Sequence, residues 1–356
     1  MAQSIEQLRS TIDNIDQQIV GLLNQRAQTA KQIGSTKTDG VIYKPDRERS
    51  VINNALQTST KALPDSSVET IYREIIAACR NLQQPLKVAY LGPEGTYSEE
   101  AARRHCGQTS EFVWASSIGE VLVMAENGQA DIAVVPIENS TEGSVSHTLD
   151  LLQSTPLTIC GEVASPIHHQ LLTNTHDIKH IKEVIAHPQA LAQCKKWLDT
   201  HLPNVTRTPA SSNAEAARQA ADSTEAAAIA GERAASIYKL AILHKNIEDE
   251  PNNTTRFLVL GKNETSATGD DKTSLICTTQ NKPGALYRLL EILANQNINI
   301  VKLESRPSRQ NLWEYYFYID IDGHKDDAPI QNALEAIKDV TTSTKFLGSY
   351  PKGALL

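Results

Sequence analysis

The first 84 residues carry the apolar pattern of helices. Apolar side chains recur there at alternating spacings of three and four residues: Ile5, Leu8, Ile12, Ile15, Ile19 and Leu22. The stripe continues through Ala30 and Ile33, so the pattern predicts one long helix. A second helix should begin near Pro45 and end at the Leu63-Pro64 break, and a third should span about residues 67–83. Because the two shorter helices cannot bury the long first one within one copy, we expect an intertwined helical dimer.

After Pro85 the pattern changes to short apolar runs, each followed by a helical stretch. The pairs are KVAYL with SEEAARRHC, ADIAVV with SVSHTLDLL, EVIA with ALAQCKKWL, and AAAIA with ERAASIYKL. Such alternation is typical of an α/β domain with a mainly parallel sheet. The apolar run TRFLVLG ends the region at residue 261, and the polar stretch 263–272 is predicted to be a linker.

The last segment predicts the order strand, helix, strand, strand, helix, strand, which is the βαββαβ arrangement of an α+β ferredoxin-like domain. Strands are expected at 274–279, 298–304, 312–321 and 344–350, and helices at 283–296 and 328–339. From Trp313 to Ile321, residues alternate with the period of a sheet that has one covered face. The chain is therefore predicted to be multidomain, with an all-α domain at 1–84, an α/β domain at 86–262 and an α+β domain at 272–353.

Composition narrows the class of protein. The chain has 356 residues, 40% of them hydrophobic, and no apolar run approaches the ~18 residues of a membrane span. The N-terminus lacks the layout of a secretory signal and the five cysteines form no CxxC pair, so we expect a cytoplasmic protein that does not bind membranes. A net charge of −8 with 5% aromatic residues argues against nucleic-acid binding. The GxGxxG, P-loop and esterase motifs are absent, and the His168-His169 pair lacks metal-ligand spacing to another histidine or carboxylate, so we expect no cofactor and no metal.

Cations on the long helix are candidates for an anion site. Arg26 and Lys37 are 11 residues apart, which places them on one helix face, about 20° apart in azimuth and about 16 Å apart in rise. Arg9 lies 17 residues before Arg26, about 25 Å away, so it can serve only a site in a partner subunit. Arg47 and Glu48 stand at the start of the second helix. The spacing alone leaves open that all of these are solvated surface charges.

The same segments resemble the all-helical chorismate mutase family across residues 1 to about 84. The resemblance rests on LR at 8–9, LLNQR ending at Arg26, IGSTK ending at Lys37, and DRER at 46–49. It implies a chorismate site formed by Arg26, Lys37, Arg47, Glu48, Gln83 and the partner's Arg9. On this resemblance the arginines bind carboxylates, Lys37 and Gln83 donate to the breaking ether oxygen, and Glu48 binds the ring hydroxyl. The roles of Lys44 and Cys79 stay open.

The middle region contains GPEGTYS (92–98), ADIAVVPIENSTEGSVSHTLDLL (130–152), HPQALAQC (187–194) and NIEDEPNNTTRF (246–257). Either of the first two alone is compatible with an ordinary turn, and the first also with an anion site at a helix N-terminus. Together these segments resemble prephenate dehydratases across residues 87–262, which implies two lobes like those of periplasmic binding proteins, with prephenate in the cleft. The resemblance implies that Thr255 donates to the leaving hydroxyl and that Arg256 orients either the substrate carboxylates or the strand. It implies further hydrogen bonds to substrate from Thr96, Ser98, Asn139, Ser140 and Gln193, with Glu138 either helping or holding the loop.

The tail resembles ACT regulatory domains of the phenylalanine-binding kind through PGALY (283–287) and ESRP (304–307). It implies that phenylalanine binds between two such domains. The residues expected near this allosteric ligand are Gly284, Ala285, Leu286, Glu304, Ser305 and Arg306. A small folding or dimerising module is the alternative for this segment.

The three resemblances together imply an enzyme that converts chorismate through prephenate to phenylpyruvate under feedback inhibition by phenylalanine. It would be a homodimer, and whether dimers pair into a homotetramer stays open. The sequence also leaves open the channelling of prephenate, the use of arogenate, the strength of inhibition and the ultimate proton donor. The alternative is a non-catalytic amino-acid sensor with the same three parts. The joint presence of Arg26, Lys37, Arg47 and Thr255 disfavours it.

Overall fold

The computed structural model describes residues 4–36, 41–175, 177–307 and 315–353. The chain forms two compact units, Met1–Leu86 with Cys106–Glu111 and Lys87–His105 with Phe112–Leu356. Helices fill the first unit, and the second combines an α/β and an α+β part, which confirms the predicted multidomain fold class. In the described ranges, no helix has the length and apolar character needed to cross a membrane.

The helical unit consists of α1 (Ile5–Thr36), α2 (Pro45–Thr58) and α3 (Asp65–Asn81). The helix α1 begins where Ser4 and Gln7 exchange hydrogen bonds at 3.0 and 3.2 Å. The helix α2 starts at Pro45 as predicted but ends before the predicted break at 63–64. The chain leaves the helix because Ser59 is extended and Lys61 adopts a positive φ of 64°.

The apolar stripe of α1 faces solvent in the isolated chain. The helix has no buried residue, and exposure along the stripe ranges from 47% at Leu8 and Ile19 to 69% at Ile5. An apolar face of this length on one helix marks an interaction surface.

The remaining elements follow β1 (Lys87–Leu91). The further strands are β2 (Glu111–Ala115), β3 (Ile132–Asn139), β4 (Gly143–Ser144), β5 (Thr158–Pro166), β6 (Gln170–Thr173), β7 (Glu183–Ala186), β8 (Thr206–Pro209), β9 (Ala226–Ala230), β10 (Ala241–His244), β11 (Thr254–Gly261), β12 (Asp271–Thr279), β13 (Ile300–Pro307), β14 (Tyr315–Asp322) and β15 (Ser343–Pro351). The helices are α4 (Tyr97–Cys106), α5 (Ile118–Glu126), α6 (Ser146–Leu152), α7 (Pro188–Gln193), α8 (Lys195–His201), α9 (Asn213–Ala221), α10 (Glu232–Tyr238), α11 (Ala285–Asn295) and α12 (Ala328–Val340).

Two sheets form two lobes. Lobe 1 has the strand order β2-β1-β3-β11-β5 with β4 added to β3, and lobe 2 has the order β10-β6-β9-β7-β8. The prediction of a mainly parallel sheet is wrong. Strand β11 runs antiparallel to β3 and β5, and β6 runs antiparallel to β9 and β10. Both strands enter their sheets from segments that cross between the lobes, so they lack the helical crossover that a parallel neighbour requires.

The α+β part has the strand order β13-β14-β12-β15, and its βαββαβ arrangement is as predicted. Strand β12 begins at Asp271, so the end of the polar stretch 263–272 is buried sheet and not linker. The expectation of one covered face is also wrong, because β14 is buried on both sides. Ile319 and Ile321 pack with the helices, while Tyr316 and Tyr318 join the core of lobe 1.

Candidate active sites

The helical unit contains a cavity of about 550 Å³ between its three helices. Four of the residues predicted for chorismate line it, namely Arg26, Arg47, Glu48 and Gln83, and so do Lys44 and Cys79. Gly34 makes room for this arrangement, since a Cβ there would lie 2.6 Å from Cγ of Gln83. Arg9 is exposed and is not part of the lining. Lys37 lies outside the described residues.

Arg80 also lines this cavity and was not among the residues predicted from the sequence. It is 5% exposed. Its Nη1 donates to Oε1 of Glu48, and its Nη2 donates to the backbone oxygen of Cys106 at 2.5 Å. Burial by itself lowers the pKa of Arg80, but the Glu48 carboxylate outweighs this effect, so the pKa is raised and the cation persists. The helix predicted at 67–83 places Arg80 three residues before Gln83, but that spacing does not distinguish a buried arginine from a surface one.

In the α/β part, strand pairing brings Thr255 and Asn139 together. Thr255 on β11 is directly opposite Asn139 at the end of β3. Asn139 is 8% exposed, and its Nδ2 donates to Oγ1 of Thr255 at 2.8 Å and to Oδ1 of Asn253 at 2.9 Å. Its Oδ1 accepts the backbone N–H groups of Thr141 and Glu142 at 3.0 and 3.2 Å. Backbone N–H groups can only donate, so they fix which end of the amide is the oxygen.

Because the Asn139 amide donates to Oγ1 of Thr255, the hydroxyl proton of Thr255 is not used in this contact. It is left for another acceptor. Gln193, a predicted substrate residue from lobe 2, reaches the same cluster, where its Nε2 donates to Oγ1 of Thr141 at 3.1 Å. Thr141, Gln193 and Asn253 line a cavity of about 280 Å³, whose wall includes the cation Lys196.

Two other predicted substrate residues, Ser140 and Thr96, bind the local backbone, and a third, Ser98, is buried. Oγ of Ser140 accepts the N–H of Thr254 at 3.0 Å, which joins β11 to the loop after β3. Oγ1 of Thr96 donates to the backbone oxygen of Leu91 at 3.0 Å, and Ser98 is buried in the first turn of α4.

The glycine-rich loop at 92–98 was one candidate for an anion site. Gly95 has a φ of +89° and its N–H donates to Glu99 at 2.6 Å, so a carboxylate of this chain occupies that donor. Arg103 and Arg233 bind the same Glu99 carboxylate at 2.6 and 3.0 Å. The Gly95 N–H is therefore not open to a substrate anion.

Arg256 points away from Thr255, as expected for neighbours on a strand. Its Nε donates to Glu162 at 2.6 Å, and its Nη2 donates to Asp320 at 2.6 Å and to the Tyr350 hydroxyl at 3.2 Å. Burial by itself lowers the pKa of Arg256, but Tyr350 and the two carboxylates outweigh this and raise it. Asp320 and Tyr350 belong to the α+β sheet, so Arg256 anchors β11 to that sheet.

The β13 strand lies against the loop that follows Asn139. Lys302 Nζ is 2.9 Å from Glu138 and donates to Ser144 Oγ at 2.8 Å. Ser144 Oγ is 3.0 Å from Oε2 of Glu304, and Arg306 donates to Ser146 Oγ at 2.7 Å.

The other predicted allosteric residues lie elsewhere in the α+β part. Ser305, on the opposite side of β13 from Glu304, is exposed. Gly284 precedes α11 with a φ of +79°, a conformation that favours glycine. Ala285 and Leu286 pack into the core beneath α11.

Comparisons with known proteins agree with the division of the chain into helical, α/β and α+β parts. Family models match chorismate mutase type II at residues 8–84, prephenate dehydratase at 88–265 and the ACT domain at 273–339. A bifunctional chorismate mutase/prephenate dehydratase of Neisseria gonorrhoeae is 48% identical over 362 residues, covering 100% of both chains. A solved prephenate dehydratase from Arthrobacter aurescens, in complex with L-Phe, has a TM-score of 0.70 and 34% identity over 75% of this chain and 90% of that one. GqqA, described as a quorum-quenching acylase, has a TM-score of 0.69 and 27% identity over 75% of this chain and 98% of that one.

The chain thus joins a helical unit of the chorismate mutase class, a two-lobed domain of the prephenate dehydratase class and an ACT domain. It belongs to the family of bifunctional chorismate mutase/prephenate dehydratases. The three resemblances found in the sequence are confirmed. The similarity to an acylase shows that one fold can serve different chemistry, so residue roles must be argued from the sites.

Proposed function

We propose that chorismate is rearranged to prephenate in the helical cavity and that prephenate is converted to phenylpyruvate beside Thr255. As a member of its family, the chain is an enzyme with chorismate mutase and prephenate dehydratase activity. The observation that carries the dehydratase assignment is the hydrogen bond from Asn139 to Thr255, because it leaves the Thr255 proton free to act on a substrate.

In the mutase reaction, no covalent bond to the enzyme is needed. The cavity has to hold a compact dianion and stabilise charge on the breaking ether oxygen. Arg26 and Arg47 are the proposed carboxylate ligands, and Gln83 and Lys37 the donors to the ether oxygen. Glu48, which Arg80 holds in place, is the proposed partner of the ring hydroxyl.

The mutase site is completed by a second copy of the chain in this proposal. Arg9 is absent from the lining of its own cavity, about 25 Å along the helix from Arg26. The exposed apolar stripe of α1 offers the surface on which a second α1 packs. A homodimer in the cytoplasm is therefore proposed, and dimers that pair into a tetramer remain compatible with it.

In the dehydratase reaction, the bond to the ring carboxylate breaks and its electrons aromatise the ring as the hydroxyl leaves. A threonine is too weak an acid to ionise near neutral pH, so Thr255 contributes a positioned hydrogen bond to the leaving oxygen. Gln193 supplies a polar contact from lobe 2. Thr96, Ser98 and Ser140 support the walls, and Arg256 holds the strand.

Feedback inhibition by phenylalanine at the ACT domain has a short structural route in this proposal. One face of β13 binds Glu138 and Ser144 through Lys302, and the opposite face carries exposed Val301 and Leu303. A ligand that binds near Glu304, Ser305 and Arg306 displaces the strand that holds the loop after Asn139. Inhibition then acts through the position of that loop.

The experiment that tests the dehydratase assignment compares Thr255→Ala with Thr255→Ser. Supplied with chorismate, the alanine variant should accumulate prephenate and lose phenylpyruvate formation by about a hundredfold or more, as for loss of a transition-state donor. The serine variant keeps the hydroxyl and should retain a measurable part of the activity. An alanine variant as active as the wild type would contradict the assignment.

A further inference from the structure

His169, which directly precedes β6, ends a series of hydrogen bonds that reaches Thr255 in lobe 1. The side chain is buried, and its Nε2 lies 2.8 Å from Oε1 of Gln193. Gln193 Nε2 donates to Thr141 Oγ1 at 3.1 Å, and that hydroxyl donates to Asn139 Oδ1 at 2.6 Å. The amide of Asn139 then donates to Thr255 at 2.8 Å. One continuous series of hydrogen bonds therefore runs between the two lobes and ends at the proposed catalytic hydroxyl of Thr255.

The direction of each hydrogen bond follows from the Asn139 end. Because Oδ1 of Asn139 can only accept, the Thr141 hydroxyl donates to it and must itself accept from Gln193. Gln193 thus turns its NH₂ group toward Thr141 and its carbonyl oxygen toward His169. Asn253 agrees with this orientation, since its Oδ1 accepts from Asn139 and its Nδ2 donates to Oε1 of Gln193 at 3.3 Å.

The orientation of Gln193 decides the tautomer of His169. A carbonyl oxygen cannot donate, so Nε2 of His169 must carry a hydrogen. Burial lowers the pKa of His169, which favours the neutral ring and leaves Nδ1 without a proton. The Tyr97 hydroxyl lies 2.8 Å from that Nδ1 and 2.9 Å from the backbone oxygen of His168, and it has a proton for either. Burial raises the pKa of Tyr97 well above its ordinary value, so the phenol stays protonated.

We propose that His169, as the Nε2–H tautomer, is a positioning residue for the dehydratase reaction. It donates to Oε1 of Gln193 and so holds Nε2 of Gln193 on Thr141, whose hydroxyl adds a third hydrogen bond to Oδ1 of Asn139 beside the two backbone N–H groups. This inference rests on the proposed dehydratase function. Without a donor at position 169, Oε1 of Gln193 keeps only the 3.3 Å hydrogen bond from Asn253. Gln193 is then held less firmly on Thr141, and the Asn139–Thr255 pair loses part of its support. The chain runs through two amides, so it orients donors and does not carry a proton.

The test compares three variants of the full chain. His169→Leu removes the donor and fills the space. His169→Gln keeps an N–H donor near the position of Nε2. His168→Leu is the matched control, because the neighbouring side chain is 44% exposed and contacts only Glu248 within the described residues. Steady-state kinetics on supplied prephenate gives kcat and KM, and the fluorescence of Trp114 and Trp197, which lie in the same compact unit as His169, reports whether that unit is folded.

We expect His169→Leu to lower the dehydratase kcat about 10- to 100-fold with KM changed less than threefold, the size expected when one donor is no longer held in place. His169→Gln should recover much of the loss, and His168→Leu should match the wild type. Equal kcat values in His169→Leu and the wild type would overturn the inference while leaving the dehydratase assignment intact. A wild type that does not turn over prephenate would overturn the assignment itself.

A measurement on the wild type keeps the test decisive if His169→Leu does not fold. The ¹⁵N shifts of the imidazole rings, with the His169 resonances identified by their absence from His169→Gln, distinguish the tautomers directly. The inference requires a protonated Nε2 and a bare Nδ1 at neutral pH. A ring protonated at Nδ1 alone would refute it.

Discussion

Removing the charge of Glu162 tests the anchor between β11 and the ACT sheet. The Glu162 carboxylate accepts from Arg256 at 2.6 Å, from Lys272 at 2.8 and 2.9 Å and from the backbone of Gly353 at 3.1 Å. With Asp320, the cluster holds two cations and two anions, whose side chains are all at most 15% exposed. Glu162→Gln preserves the shape and leaves one positive charge without a counter-charge.

The magnitude follows from that imbalance. Removing one partner of a buried pair costs about 3 to 5 kcal/mol, because the remaining charge stays desolvated. With a urea slope of about 3 kcal/mol/M, the unfolding midpoint should fall by about 1 M or more. The double variant Glu162→Gln/Lys272→Met restores neutrality, so it should lose less stability than the single variant.

Tryptophan fluorescence in urea is the assay. Trp114 and Trp197 belong to the second compact unit, and the sequence of the first unit contains no tryptophan, so the signal does not report the first unit. The matched control is Glu225→Gln, which breaks a pair with Lys182 whose side chains are 57% and 71% exposed. Its midpoint should move by the equivalent of less than about 1 kcal/mol. A Glu162→Gln midpoint no lower than that of Glu225→Gln would refute the reasoning.

Three further predictions concern the mutase site, inhibition by phenylalanine and the pH dependence of stability. Lys37→Ala should abolish mutase activity and spare turnover of supplied prephenate. Mixing the Lys37→Ala and Arg9→Ala variants should restore part of the mutase activity in verified heterodimers, and no recovery would count against sites shared between subunits. Lys302→Ala should weaken inhibition by phenylalanine more than it lowers uninhibited dehydratase activity, measured as the inhibitor concentration at half activity, and unchanged inhibition would exclude the β13 route. Burial raises the pKa of Glu162, but the charges of Arg256 and Lys272 outweigh this effect and hold the pKa below its ordinary value. The contribution of Glu162 to stability is therefore present above the unfolded pKa of about 4.3 and is lost as pH falls through the lower folded pKa. Urea midpoints of the wild type should therefore drop on acidification more steeply than those of Glu162→Gln, and parallel curves would argue against that shift.

The spacing of apolar residues predicted the helices and strands, because each element has an apolar face that recurs with its own period. The stripe on α1 and the βαββαβ order of the tail needed no information from distant residues. The antiparallel direction of β11 did need such information, since the pairing of β11 with β3 and β5 depends on where the chain returns from lobe 2. The second covered face of β14 depends in the same way on lobe 1. Tyr316 and Tyr318 were counted as the polar side of the strand, although they are buried in the core of lobe 1.

Site residues show the same division. The family resemblance identified four residues that line one cavity in the structure: Arg26, Arg47, Glu48 and Gln83. Arg80 was missed because a buried arginine is recognised only when its carboxylate partner, Glu48 on another helix, is seen beside it. The role of Arg256 was open between substrate and strand, and only its contacts with residues 64 and 94 positions away favour the strand.

The central claim is that one chain carries out both reactions in sequence. The most direct measurement mixes the purified protein with chorismate alone and follows chorismate, prephenate and phenylpyruvate over time by their ultraviolet absorbance. The account predicts that chorismate disappears, that prephenate passes through a transient level, and that phenylpyruvate accumulates until added phenylalanine slows it. Bound chorismate with an unchanging spectrum would contradict the account and identify the chain as a sensor.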